Sequence, residues 1–214
     1  MRLWNGWGNE DSDLTMELSD GLRSLLEVLV GPGTALSQAT LNEVISKVPD
    51  TRLDDHPLIK TDPETRVRHA RGQSLPDWLE MHSGNVDTFP DGVAFPESSA
   101  QVRELLAHAK ENNLIVIPYG GGTSVVGHIN PETSDKPVLT IDMAKMNSML
   151  SIDTESQLAT FGAGAPGPVV EEELKKYGYT LGHFPQSWEL STLGGWVASR
   201  SSGQQSLHYG RIEN

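Results

Sequence analysis

The residues best suited to chemistry are Gly120-Gly121-Gly122-Thr123-Ser124, which follow the apolar run Leu114 to Ile117 and the pair Pro118-Tyr119. Three consecutive glycines can take positive φ and let main-chain N–H groups close on an oxyanion with no Cβ in the way. The two hydroxyls add donors without a full charge. That chemistry is a phosphate cradle. It is not the nucleotide-binding P-loop, because no Gly-Lys-Ser/Thr follows, and the Rossmann spacing Gly-x-Gly-x-x-Gly is met only loosely. A glycine run taken alone is more often a mobile turn between strands. The apolar strand before it and the Thr123-Ser124 pair after it favour the cradle.

A second candidate stretch is "GHFPQSWELSTLGGWVASRSSGQQSLHYGRIEN" (182–214), where Ser187, Ser191, Thr192, Ser199, Ser201 and Ser202 surround Gly194-Gly195, with Arg200 among them. It reads either as a solvated serine-rich loop or as a second wall of the anion site. In the second reading Ser191-Thr192 opens a helix whose first N–H groups face the ligand. Together the two stretches suit a long ligand with a pyrophosphate in its middle.

The other reactive residues carry weaker signals. The seven histidines (56, 69, 82, 108, 128, 183 and 208) show no HExxH or other metal spacing, which predicts scattered structural roles and no metal. Arg66, Arg68, His69 and Arg71 form a basic cluster that could line the entrance of an anionic substrate. The favoured reading is a solvated loop balancing Asp62 and Glu64. Trp4, Trp7, Trp78, Trp188 and Trp196 read as packing residues, with Trp188 alone placed for a ligand contact. No Ser-His-Asp order with a nucleophile elbow supports hydrolysis.

Composition narrows the partners. The 214 residues are 36% hydrophobic and 21% charged, as in a soluble globular protein of one large or two small domains. A net charge of -13 repels nucleic acid and anionic membranes overall, so an anionic small ligand needs local donors. The absence of cysteine excludes disulfides, thiolate nucleophiles and cysteine zinc sites. No segment reaches the roughly 18 apolar residues of a membrane span, and the first residues lack the basic start and apolar run of a signal peptide. The expected compartment is the cytoplasm, with a peroxisomal address at the C-terminus left open.

The elements that must position these residues are legible in outline. Ser19 caps a helix predicted to bury Leu22, Leu25, Leu26 and Leu29 and stopped by Gly31-Pro32-Gly33. Thr40 and Glu43 form a capping box before Leu41, Val44, Ile45 and Val48. Residues 1 to about 50 are thus expected to be helical, and 51–73 charged and irregular. Ser74 and Pro76 start a short helix with Trp78 and Leu79 inward. From Asp91 the chain reads strand, helix, strand: Ser98 and Gln101 cap a helix burying Val102, Leu105, Leu106 and Ala109, and Leu114 to Ile117 suits a strand covered on both faces. "KPVLTID" (136–142) is a further strand, and 149–164 a hairpin. "PGPVVEEELKKYG" (166–178) has prolines at its start, glutamates near its positive end, lysines near its negative end and a closing glycine, all marks of a helix. Alternation of this kind predicts an α/β or α+β fold.

Several of these stretches resemble one known family. "PYGGGTSVVGHINP", "QSWELSTLGG" and "SRSSG" are similar to the FAD-binding loops of the vanillyl-alcohol oxidase/p-cresol methylhydroxylase flavoprotein superfamily, in its alkyldihydroxyacetonephosphate synthase (alkylglycerone-phosphate synthase) branch. "LWNGWG", "RVRHARGQSLPDWL" and "LHYGRIEN" also resemble that branch, so the likeness spans nearly the whole chain. It implies an α+β, FAD-binding PCMH-type fold: the first α/β subdomain and the start of the second (86–214), after a helical lead-in (1–85).

Carried over, the resemblance implies that FAD is held by Pro118, Tyr119, Gly120, Gly121, Gly122, Thr123 and Ser124, by Gln186, Ser187, Trp188, Glu189, Leu190, Ser191 and Thr192, and by Ser199, Arg200, Ser201 and Ser202. Members with covalent flavin commonly have a histidine straight after the glycines. Thr123 stands there, which implies non-covalent FAD and leaves His128 a structural role. The implied reaction exchanges the acyl chain of an acyl dihydroxyacetone phosphate for a fatty alcohol, through a covalent adduct on the flavin and with no net redox change. The family's fourth FAD loop and its catalytic tyrosine, histidines and arginine have no counterpart here, so no catalytic residue is assigned and an inactive N-terminal fragment is expected. A lipid-type substrate, peripheral membrane contact through missing regions and a homodimer are the partners implied. The alternatives are a 2-hydroxy-acid dehydrogenase or oxidase on the same fold, and a non-catalytic nucleotide- or anion-binding module.

Overall fold

The computed structural model describes residues 2–11 and 18–213. The part of the helical expectation that falls on 12–17 lies outside the described residues. Eight helices and six strands follow in the described chain, and a four-stranded sheet sits at their centre.

That sheet has the order β1-β2-β4-β3, with β1 spanning Ile59–Lys60, β2 Gly92–Ala94, β3 Ile115–Tyr119 and β4 Val138–Asp142. β2, β4 and β3 run parallel, with Val93 and Ile117 both beside Thr140, and β1 is an antiparallel edge. Helix α5 (Ser99–Glu111) carries the chain from β2 past β4's place to β3, capped by the Ser98 hydroxyl accepting from the Gln101 amide. β2 and β4 are buried along their whole length, because each is paired on both edges and covered by side chains. β3, expected to be covered on both faces, is an edge strand and only partly buried.

Ala94, Leu105, Leu139 and Ile141 form the core beneath α5. Leu105 and Ala109 are the buried stripe of that helix, while Leu106, expected inward, lies outside. A second core joins the sheet's flank to the lead-in. Val44 of α2 (Leu41–Ile45), Val67 of α3 (Pro63–Arg68) and Met81 of α4 (Leu75–Ser83) pack there with Ala70, Val86 and Phe89. The inward residues of α4 are Asp77 and Met81, whereas Trp78 and Leu79 are exposed. Asp77, which completes the capping box with Ser74, also accepts from Asn130, and this polar tie turns the other face outward.

The stretch 51–73 is more ordered than expected, since it contains β1 and α3. It also joins lead-in and sheet into one hydrogen-bonded unit, so the division at residue 85 falls inside a packed structure. By contrast α1 (Asp20–Val30) has the predicted Ser19 cap but buries nothing: Leu22, Leu25, Leu26 and Leu29 are all exposed. Amphipathic patterning forms the helix, and no described part of the chain covers its apolar face. Beyond β4, the hairpin β5 (Met149–Asp153) and β6 (Leu158–Phe161) packs through Ile152 and Phe161 on α6 (Gly167–Lys175), burying Val170 and Leu174. Helices α7 (Leu193–Ser199) and α8 (Ser206–Tyr209) complete the described residues.

Candidate cofactor-binding site

The C-terminal ends of β3 and β4 open into a cavity of about 390 Å³. In parallel sheets ligands collect at this end of the strands, where the chain leaves the sheet in loops. One wall is the glycine loop, from Tyr119 to Thr123. The opposite wall comes from the loops after β4 and β6, through Ala144, Asn147, Gly164 and Pro166, and from Leu190 and Thr192. Segment 68–73 and the N-terminal residues 2–8 close the remaining sides.

Close approach of main chains explains why glycine stands at 120–122. A Cβ on Gly120 would strike the Thr192 hydroxyl, and one on Gly121 would fall on the Leu190 carbonyl and 2.8 Å from Ser191 Cα. Gly122 has φ +67°, and a Cβ there would strike the Tyr119 hydroxyl. So the first and second loops meet main chain to main chain at Gly121, with the Thr192 side chain lying against Gly120. Among the described residues no acceptor takes a hydrogen bond from the amides of Gly120, Gly121, Gly122 or Thr123. Gly121 and Gly122 are nevertheless buried. Buried main-chain donors without partners are rare, and a run of them facing a cavity is suited to an anion.

The second loop behaves differently. Thr192 caps α7 as expected, with its hydroxyl accepting from Gly195 N. The helix's first amides are already used, however: Leu193 N donates to Ala165 O at 2.9 Å and Gly194 N to Ala163 O at 2.8 Å. The helix N-terminus therefore docks on 163–165 and does not present free N–H groups to the cavity. Ser191 is also internal, donating to Ser187 O and accepting from the Trp196 indole. Leu190 and Thr192 reach the cavity, while Gln186, Ser187, Trp188 and Glu189 do not line it. Trp188 packs on Phe184 and leaves its buried indole N–H unpartnered.

The third stretch lies away from the cavity. Ser199 bonds back to Gly195 O, Arg200 pairs with Glu213, and Ser201 meets the His183 ring at 2.7 Å. Burial pushes the His183 imidazole below its ordinary value. Pro118 and Ser124 flank the first loop without lining the cavity, and the Ser124 carbonyl accepts from Gln73 N at 2.6 Å. His128 contacts the Ser124 hydroxyl at 3.1 Å.

The basic cluster at 66–71 departs furthest from expectation. Arg66, His69 and Arg71 are buried, so the solvated-loop reading fails for them. Arg66 donates to Pro90 O and Pro49 O, and Arg71 is matched by Glu80 and Asp87. Arg68 keeps the predicted pair with Glu64 and adds Glu10 and the Arg2 carbonyl. Arg68, His69 and Arg71 all line the cavity. His69 Nδ1 lies 2.7 Å from Thr65 O, which can only accept, so that nitrogen carries a proton. Its Nε2 lies 3.0 Å from Asp142 Oδ2, and this contact is a hydrogen bond only when one further proton lies between them. Asp142 Oδ1 is engaged by Ala144 N. Beside them, burial and then the Asp142 carboxylate push the Tyr119 phenol up to about 12, with Arg2 acting against them. The phenol is therefore a neutral hydroxyl at any working pH.

Comparison with known proteins identifies the family. A family model described as an FAD binding domain matches residues 90–214. The chain belongs to this FAD-binding family. FAD is accordingly its cofactor, and the protein-unpartnered amides of the glycine loop are the observation in the structure that fits it. Alkyldihydroxyacetonephosphate synthase of Trypanosoma brucei brucei is 41% identical over 158 residues, covering 73% of this chain and 26% of that protein. The Caenorhabditis elegans protein of the same name is 32% identical over 239 aligned positions, covering 99% of this chain and 40% of that one. A solved alkyldihydroxyacetonephosphate synthase structure superposes with a TM-score of 0.82 at 32% identity, over 99% of this chain and 45% of its own. The chain thus has the α+β fold of that FAD-binding family and spans less than half the length of these relatives.

Arg2, Trp7, Asp142 and Asn147 line the cavity but carry no signal as binding residues in the sequence, and His69 carries one only as part of the basic cluster that could line the entrance of an anionic substrate. Only the motifs "LWNGWG" and "RVRHARG" marked the stretches around Trp7 and His69 for attention. Asp142 looked like an ordinary strand end.

Proposed function

We propose that this chain is the FAD-binding part of a flavoenzyme of the alkyldihydroxyacetonephosphate synthase kind. The observation that carries the proposal is the set of four consecutive amides, Gly120 to Thr123, that no described residue accepts from at the mouth of a parallel sheet. They would hold the FAD pyrophosphate, as backbone donors hold phosphates elsewhere. Leu190 and Thr192 would form the opposite wall. Thr123 offers no ring nitrogen for a flavin link, so the cofactor is held non-covalently.

FAD, when bound, supplies the reactive centre for exchange of an acyl chain for an alkyl chain on an acyl dihydroxyacetone phosphate. The residues of this chain bind and orient it. The glycine loop leaves its main chain uncovered by side chains of its own, and His69 and Asp142, 3.0 Å apart, stand together at the cavity wall. No residue of the chain is assigned to bond making or breaking. Gln186 to Glu189 and Ser199 to Ser202 stand outside this cavity.

The test is flavin retention. Protein purified with FAD should carry a flavin absorbance band, and acid precipitation should release all of it to the supernatant. No band at saturating FAD would sink the proposal, and flavin left in the pellet would sink the non-covalent reading. Ether-lipid product from acyl dihydroxyacetone phosphate and a fatty alcohol would support the synthase reaction. Anaerobic bleaching by a 2-hydroxy acid without such product would favour a dehydrogenase.

A further inference from the structure

The family match begins at residue 90, yet a full side of the cavity is built by residues 2–8. This N-terminal strap folds back on itself: Arg2 and Asn9 form an antiparallel bridge, and Leu3 N donates to Gly8 O at 3.1 Å. It is fastened from two directions. Trp4 packs on the core of Val44, Val67, Ala70, Met81, Val86 and Phe89. Arg68 donates to the Arg2 carbonyl at 2.9 Å and pairs with Glu10 just past the bridge.

Arg2 itself joins the two cradle loops. One guanidinium nitrogen donates to Gly121 O and the other to Leu190 O at 2.7 Å. Carbonyl oxygens at this position would repel an anion in the cavity, and Arg2 covers both. A guanidinium has five N–H donors, so three remain after these two bonds. The charge balance is equally informative. Arg71 and Arg68, the other cavity-lining arginines, are each matched by two carboxylates. Among the described residues no carboxylate pairs with Arg2, whose side-chain bonds go only to neutral carbonyls. The glycine loop supplies dipoles but no charge, in a protein of net charge -13.

We propose that the strap 2–9 is a wall of the cofactor site and that Arg2 is the positive charge facing the FAD pyrophosphate. This rests on the FAD assignment above and adds a residue and a segment outside the matched domain. The guanidinium then acts twice, neutralising the two carbonyls and pointing its remaining donors and its charge at the phosphates.

The experiment measures FAD affinity by flavin fluorescence and the 31P spectrum of bound FAD, in wild type, Arg2→Gln and Arg2→Lys, using the protein as expressed. Expected are a roughly tenfold rise in Kd and displaced pyrophosphate resonances for Arg2→Gln, with Arg2→Lys intermediate because it keeps charge but not the planar fork. If wild type retains FAD and Arg2→Gln binds it equally, the inference is overturned while the FAD reading stands. Weaker binding with unmoved 31P resonances also overturns it, because Arg2 would then only brace the strap. Should Arg2→Gln not fold, Arg2→Lys carries the same comparison, and unchanged Kd and 31P shifts there are equally fatal. Failure of wild type to bind FAD would sink the underlying assignment instead.

Discussion

At the scale of single residues, Gly121 has little freedom to change. A Cβ there has nowhere to go without parting the glycine loop from Leu190 and Ser191. Gly121→Val should abolish flavin retention and destabilise the fold by about 1–3 kcal/mol. Retained flavin after gel filtration would refute the cradle. The His69–Asp142 pair makes a different prediction. Asp142→Ala leaves the His69 Nε2 without its buried partner and the Ala144 amide without its acceptor. A loss of about 1–3 kcal/mol in urea unfolding is expected, and a loss below about 0.5 kcal/mol would show that water replaces the carboxylate. The glycines were legible because their type alone limits what they can do. The pair was not, because 73 positions separate His69 from Asp142 and only the sheet brings them together.

At the scale of elements, the contact that joins lead-in to sheet is centred on Asp91. Its carboxylate takes the Arg52 guanidinium through both oxygens, at 2.8 and 2.7 Å, and the Val138 amide at 2.7 Å. Thr51 donates to its carbonyl, and Asp91 N reaches Val138 O. Burial works to raise the Asp91 carboxyl, yet the hydrogen bonds from Arg52 and Val138 and the charge of Arg52 hold it below its ordinary value. A carboxyl depressed in the folded state contributes stability that is fully present above the unfolded value of 3.8 and is lost as pH falls through the folded one. Asp91→Asn should therefore cost about 2 kcal/mol at neutral pH and flatten the acid limb of the stability profile below pH 4. A parallel acid limb in the variant would assign that loss to other carboxylates. Local patterns announced most elements here: Ser19, Thr40, Ser74 and Ser98 all cap the helices expected of them. They could not show that the amides opening α7 would be taken up by Ala163 and Ala165, because that depends on where the hairpin loop sits.

Across the whole molecule, equal apolar patterning has unequal consequences. Leu139 is fully buried beneath α5, whereas Leu25 of α1 is 52% exposed. Leu139→Ala should cost about 2–5 kcal/mol, while Leu25→Ser should change stability by no more than about 0.5 kcal/mol. A large loss at Leu25, measured by thermal unfolding at several protein concentrations, would mean that the α1 face is covered in solution. Periodicity and caps determine where helices form, and runs such as Leu114 to Ile117 determine where strands form, because those are properties of neighbouring residues. The sequence by itself thus determined the alternation of elements, the place of the glycine loop after a strand and, through three ordered motifs, the FAD family. Only the tertiary structure decided that β4 is central and β3 an edge, that Arg66, His69 and Arg71 are buried, and that residues 2–8 wall a cavity shared with loops far along the chain. Burial and pairing across such distances depend on which surfaces meet, and no local spacing encodes that.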